Sequence, residues 1–249
     1  MVIITIANQK GGVGKTTTAV TLGHGLSLKN YNVLVIDTDP QGQCASHLGL
    51  DQESGVFNLL VNRPPMRDVV RTTGRPNLWL LPGNKRTKTA ETMMAIERQS
   101  VATLREILET KVNGERLHFV ILDTAPSAGG LQENGLWAAD LLLIPSAVDY
   151  LSLEGVAEIL KTLKALQRPS LPVRRILPTF FDQVTKESKA NLNRLQEAFG
   201  AILFEPIHRA AVLRECPPLG QTIFEHQPKS RAANEYAALV WGVLDATKE

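Results

Sequence analysis

Cysteine is nearly missing from this chain: its 249 residues include only Cys44 and Cys216. Two such isolated residues give neither a disulfide framework nor a metal-ligand spacing. A dominant charge is lacking as well. The formal net charge is +2, so bulk electrostatics select no partner and any nucleic-acid surface has to be local. No stretch approaches the roughly 18 consecutive apolar residues of a membrane span. Met1 to Ala7 are apolar but lack a basic flank and run into a glycine loop, so they read as a strand and not a signal peptide. No repeat, low-complexity tract or linker interrupts the sequence, which is read as one domain over residues 1–249. A cytoplasmic protein fits these absences.

The hydrophobic fraction of 43% and charged fraction of 21% are those of an ordinary globular protein. A β-branched run at Val2–Ile6 is followed by mostly apolar runs at Val33–Ile36, Leu78–Leu81, Phe119–Leu122, Leu141–Ile144 and Val173–Leu177. A short run at Ala201–Phe204 is expected to complete the sheet. Between them lie helical patterns at Thr16–Leu28, Thr87–Thr110, Ser152–Gln167, Glu187–Phe199 and Arg231–Ala246. Gly23 and Gly25 lower the helix propensity of the first of these and would allow close packing against a sheet. In the Thr87–Thr110 segment, Met93, Met94 and Ile96 read first as core and second as a partner surface. Continuously apolar strands alternating with helices predict an α/β fold, a mostly parallel twisted sheet covered by helices on both faces. Ligands in such sheets sit beyond the carboxyl ends of the strands, where this sequence puts its chemistry.

Gly11-Gly12-Val13-Gly14-Lys15-Thr16-Thr17 stands between the first strand and the first helix. Glycines there let successive backbone N–H groups turn inward on phosphate oxygens, and the helix points its positive end at them. Lys15 is expected to bridge the β- and γ-phosphates, Thr16 to coordinate Mg²⁺, and Thr17 to hold the α-phosphate. Gln9 stands where the standard phosphate loop has its first glycine, and a second lysine, Lys10, precedes Gly11. Asp123 ends one apolar strand, and Asp37 and Asp39 end another in Asp37-Thr38-Asp39-Pro40-Gln41-Gly42. Carboxylates placed there suit Mg²⁺ and an attacking water.

Lys10 through Thr17 matches the deviant Walker A pattern, and the Asp37–Gly42 loop resembles the signature of ParA proteins. The chain thus resembles the family of ParA, MinD and the nitrogenase iron protein, deviant members of the P-loop NTPase fold. The likeness extends through Leu177–Asp182, Pro206–Arg209, Glu215–Pro217 and Lys229–Tyr236. It implies an ATPase that binds ATP and Mg²⁺ and forms an ATP-sandwich homodimer. In that dimer Lys10 reaches the partner's nucleotide, and hydrolysis is slow and partner-stimulated. The resemblance gives Asp39 the attacking water, Asp123 the metal and Asp37 a place near the metal shell. It sets Pro206 and His208 by the adenine.

Within the family, the chain lacks the basic amphipathic tail by which MinD proteins bind membrane, and neither cysteine suits an iron–sulfur cluster. With Met1 directly before the first strand, no N-terminal helix-turn-helix is expected. A small ParA remains, which by resemblance binds DNA without sequence preference and positions a plasmid, chromosome or protein assembly with a ParB-like activator. Residues 161–231 hold twelve basic side chains against six acidic ones. The candidate phosphate contacts among them are Lys186, Lys189, Arg209, Arg214, Lys229 and Arg231. Val184 and Val212 stand where family members often carry arginine, which keeps open a dimer switch that recruits a protein without DNA. An ATP-dependent ligase of the dethiobiotin synthetase type is a further alternative.

Overall fold

The computed structural model describes residues 1–168, 170 and 172–248. Its strands are β1 (Val2–Ile6), β2 (Val33–Asp37), β3 (Arg71–Thr72), β4 (Leu78–Leu81), β5 (Lys111–Val112), β6 (Glu115–Arg116), β7 (Phe119–Asp123), β8 (Leu141–Ala147) and β9 (Val173–Thr179). The helices are α1 (Lys15–Ser27), α2 (Gln43–His47), α3 (Gly55–Phe57), α4 (Arg86–Ile96), α5 (Thr103–Ile107) and α6 (Gly130–Ala138). They continue with α7 (Ser152–Ala165), α8 (Lys186–Phe199), α9 (Val212–Glu215), α10 (Ile223–His226) and α11 (Arg231–Ala246).

Seven strands form one sheet in the order β3-β4-β2-β7-β1-β8-β9, and β5 and β6 make a separate hairpin. All pairings of the large sheet are parallel except that of the edge strand β3 with β4. The alternation of strand side chains divides the core between two faces. Ile4, Ile6, Val35 and Ile121 pack with Tyr236, Val240 and Val243 of α11 on one face. Ile3, Leu34, Ile36, Val120 and Leu122 meet Phe57, Ala90 and Leu104 on the other. Farther along the sheet, Leu142 and Ile144 pack on Val156, Ile159 and Leu163 of α7.

The two glycines of α1 serve different neighbours. A Cβ on Gly23 would stand 2.8 Å from Val35 Cγ2, the close approach to the sheet expected of it. One on Gly25 would stand 2.5 Å from Val240 Cγ2 and 3.0 Å from Phe224, so this glycine admits α11 and α10 instead of the sheet.

Two expectations are corrected. Thr87–Thr110 is not one helix: α4 stops at Ile96 and α5 begins at Thr103. Arg98 takes a left-handed φ of 52°, while Gln99 N–H donates to Met94 carbonyl and Arg98 N–H to Ala95 carbonyl. That is a Schellman stop, reached here without glycine. Met94 is buried as core, while Ile96 is 76% exposed. The second correction concerns Ala201–Phe204, which is no strand. A tight turn covers Gly200–Ile202, and only Leu203 makes a lone parallel bridge, to Ile176. Phe204 and Ile207 N–H groups still donate to the Ile176 and Pro178 carbonyls. Pro178 and Pro206 offer no N–H, so the ladder between the two segments cannot close.

Candidate active site

Topology assembles the site. β7 lies between β1 and β2, with Asp123 in register with Ile6 on one side and Asp37 on the other. The glycine loop leaves β1 beside these two carboxylates. Gly12 and Gly14 have φ of 71° and 87°, a left-handed backbone open to glycine, and Gly14 caps α1. Gly11, Gly12, Gly14, Lys15, Thr16, Thr17 and Asp39 line a cavity of about 350 Å³. Val13 is different: its side chain is buried, and its carbonyl accepts the Thr179 hydroxyl at 2.9 Å.

Lys15 is buried to 7% exposure, and its Nζ donates to the Lys10 carbonyl at 3.2 Å. Desolvation lowers its pKa below the ordinary lysine value, against the attraction of Asp123 and Asp39. Such a buried ammonium beside a glycine loop is suited to a polyanion. Lys10 does not line its own cavity; its Nζ pairs with Asp149 Oδ2 at 2.5 Å.

The Thr16 hydroxyl donates to Asp123 Oδ2 at 2.7 Å, and the Cys44 thiol reaches the same oxygen at 3.4 Å. Asp123 Oδ1 is buried with no hydrogen-bond partner. Burial raises the Asp123 carboxyl to about 6, with the Thr16 and Cys44 hydrogen bonds and Lys15 pulling the other way. An orphaned carboxylate oxygen beside a threonine hydroxyl fits a hydrated divalent cation, which would satisfy the oxygen and favour its charge. Thr16 and Asp123 are the residues that could hold Mg²⁺.

Asp37 is also fully buried, and desolvation followed by the Asp123 charge raises its pKa well above the carboxylate range. Its oxygens accept the Asp39 N–H at 3.1 Å and the Cys44 N–H at 2.9 Å. It therefore braces the loop that carries Asp39, while Asp39 itself lies half-buried on the cavity wall. Ligand atoms of Asp37, Cys44 and Asp123 lie within 4.8 Å of one another.

A second cavity of about 310 Å³ adjoins the first, sharing Gly12, Gly14, Thr17 and Phe180 with it. His208 lines it, with Nδ1 2.7 Å from Glu235 Oε1 and its backbone N–H on Oε2 at 3.0 Å. Pro206 instead lines a separate apolar groove with Phe204 and Gly242. The six basic candidates are all exposed. Lys186 and Lys189 begin α8, Arg214 lies on α9, and Lys229 and Arg231 flank Ser230, the cap of α11. Arg209 and Arg231 touch, the guanidinium of the latter on the carbonyl of the former at 3.4 Å. Sequence reasoning missed Asp149, Cys44, His47 and Phe180. Asp149, Cys44 and His47 carry no local motif, and Phe180 stands in the Leu177–Asp182 segment without a role assigned to it; the fold brings all four to the loop.

The chain is similar to known proteins over nearly its whole length. A family model described as an AAA domain matches residues 1–173. The chain is 36% identical to the chromosome-partitioning ATPase Soj of Thermus thermophilus, over 99% of this chain and 96% of that protein. Among solved structures, a cobyrinic acid a,c-diamide synthase from Mycobacterium smegmatis with bound ADP and magnesium superposes with a TM-score of 0.83. It is 29% identical, and the match covers 100% of this chain and 96% of that one. A Cyanothece McdA–ATP complex, 23% identical, shares the fold with a TM-score of 0.85 over 100% of this chain and 96% of that one. The fold is that of a phosphate-loop nucleotide-binding protein. The chain belongs to the ParA/MinD family of ATPases.

Among the described residues no helix is long and apolar enough to cross a membrane.

Proposed function

We propose that this chain, acting as one domain over residues 1–249, is a nucleotide-driven positioning switch in the cytoplasm. It binds ATP with Mg²⁺, forms a homodimer around two nucleotides, and holds DNA without sequence preference. A ParB-like partner on a plasmid, chromosome or protein assembly triggers hydrolysis and release. The observation that carries the reading is the placement of Lys10. The second loop lysine does not line its own phosphate cavity but is held, partly exposed, on Asp149, from which it could be released to a second copy's nucleotide. The partitioning role of the Soj relative supports the same reading.

In this scheme Lys15 and the loop N–H groups bind the phosphates, and Lys10 of the partner adds charge to them. Asp39 orients the attacking water, and Asp37 keeps the Asp39 loop in place. Thr16 and Asp123 hold Mg²⁺, which when bound neutralises charge on the β- and γ-phosphates. His208 belongs to the wall of the base site, and Pro206 stands two residues before it in the same loop. Lys186, Lys189, Arg209, Arg214, Lys229 and Arg231 supply the DNA-binding surface.

Binding to random-sequence duplex DNA, with ATP, ADP or no nucleotide over a salt series, tests the reading. The expected result is ATP-dependent binding that Asp39→Ala prolongs and rising salt abolishes. A second reading, protein recruitment without DNA, has Val184 in its favour, 81% exposed just before α8. An ATP dimer with no DNA affinity at low salt would select it. A third, an ATP-dependent ligase, draws on the synthase likeness and would show nucleotide turnover only with a small-molecule co-substrate.

A further inference from the structure

Phe180 has no part in the phosphate chemistry, yet the chain holds it in an unfavourable conformation. Its φ is 55°, in the left-handed region that bulky side chains avoid. Such backbones persist where the surroundings over-determine them, and they gather at ligand clamps. The surroundings here are explicit. Just before it, the Thr179 hydroxyl donates to the Val13 carbonyl of the phosphate loop at 2.9 Å. Just after it, Phe181 N–H donates to the Ile207 carbonyl at 3.1 Å, and the Phe181 ring packs on His208 with centroids 4.9 Å apart. Adjacent residues of an extended strand would face opposite ways. The reversed φ frees Phe180 from that alternation. Its ring reaches over the loop, with Cζ 3.8 Å from where a Cβ on Gly14 would stand.

That ring borders both the phosphate cavity and the adjoining cavity walled by Ile207, His208 and Tyr236. A nucleotide whose phosphates lie in the loop can extend past this ring into the adjoining cavity, which shares Gly12, Gly14, Thr17 and Phe180 with the first. We infer that Phe180 is the platform against which the nucleobase stacks, a binding residue that gives affinity for the base and none for the triphosphate. The inference rests on the ATPase reading above. Stacking tolerates any base, because every base has a π-face, so Phe180 would strengthen nucleotide binding without choosing the base.

The test is calorimetric titration of the full chain with ATP and, separately, with inorganic tripolyphosphate, both with Mg²⁺. It compares wild type with Phe180→Gly, Phe180→Ala and Phe180→Tyr. Glycine removes the ring while accepting the positive φ, so loss of fold does not cloud the result. Phe180→Gly and Phe180→Ala are expected to weaken ATP about tenfold or more and to leave tripolyphosphate unchanged, with Phe180→Tyr restoring ATP. Equal weakening of both ligands would overturn the inference, showing that Phe180 only shapes the loop. So would unchanged ATP affinity. Wild type that binds tripolyphosphate but not ATP would sink the ATPase reading itself, a different failure from either.

Discussion

Neutralising Asp149 should tighten the ATP dimer. Its carboxylate holds the Lys10 ammonium at 2.5 Å, with side chains 31% and 43% exposed. Lys10 has to leave this partner before it can reach a second nucleotide. Water screens a pair this open, so its worth lies in the range of surface ion pairs, at most about 1 kcal/mol. A symmetric dimer breaks the pair twice, for a cost of about 2 kcal/mol, or roughly 30-fold in the dimer constant. Asp149→Asn removes the charge while keeping an oxygen for the Leu151 N–H, which Asp149 Oδ1 accepts at 3.0 Å. Light scattering over a concentration series with a non-hydrolysable ATP analogue should show a dimer tighter by about 5- to 30-fold. Introducing Lys10→Ala into both wild type and Asp149→Asn should erase the difference between them, as a double-mutant cycle requires of a direct pair. A dimer of unchanged or weaker affinity in Asp149→Asn would refute the latch and move Asp149 into the interface itself.

Gly25→Ala should destabilise the fold by about 1–3 kcal/mol in urea unfolding, because its methyl would meet Val240 and Phe224 closer than packed atoms allow. Asp123 gives a pH signature in the nucleotide-free protein. Its folded carboxyl titrates near 6 against an ordinary 3.8, so between these values the folded state keeps a proton that the unfolded chain has lost. The stability it contributes is therefore full below 3.8 and lost as pH rises through 6, about 3 kcal/mol in all. Asp123→Asn should flatten that part of the stability curve, and parallel curves for the two proteins would contradict the burial argument. On DNA, Lys229→Ala and Arg231→Ala should weaken binding alike for all sequences and each reduce the slope of log affinity against log salt by about 0.9. An unchanged slope would take those side chains off the DNA.

The strands and the phosphate loop were legible because each carries its cause locally. A parallel strand covered on both faces is apolar at nearly every position, and a loop that wraps phosphate has to be glycine-rich, so Val2–Ile6 and Gly11–Thr17 announce themselves. The break between α4 and α5 was not legible, since Arg98 stops the helix in a conformation usually given to glycine. Ala201–Phe204 misled for the opposite reason: its composition suits a strand, but the prolines that interrupt its ladder lie outside it, at 178 and 206. Asp37 was readable as a strand-end carboxylate. Its use in bracing Asp39 and Cys44 depends on how the following loop folds back. Phe180 and Asp149 are more than 130 residues from the glycine loop in sequence, and only the order of the strands brings them to it.

The same strand order explains why a nucleotide should change more than its own pocket. Asp37 and Asp123 are paired in register on adjacent strands, both buried, and the charge of Asp123 raises the cost of charge on Asp37. Between them runs the loop from Thr38 to Cys44, tied at both ends. Thr38 donates through N–H and hydroxyl to the Asp123 carbonyl, and Cys44 donates its N–H to Asp37 and its thiol to Asp123. A cation satisfying the free Oδ1 of Asp123 would favour the charged carboxylate and so bear on its other oxygen, which Thr16 and Cys44 share. Any shift of that oxygen bears on Cys44, and through the loop on Asp39 at the cavity wall. Occupancy of the metal position and placement of the residue proposed to aim the water are thus coupled by one short, doubly anchored segment.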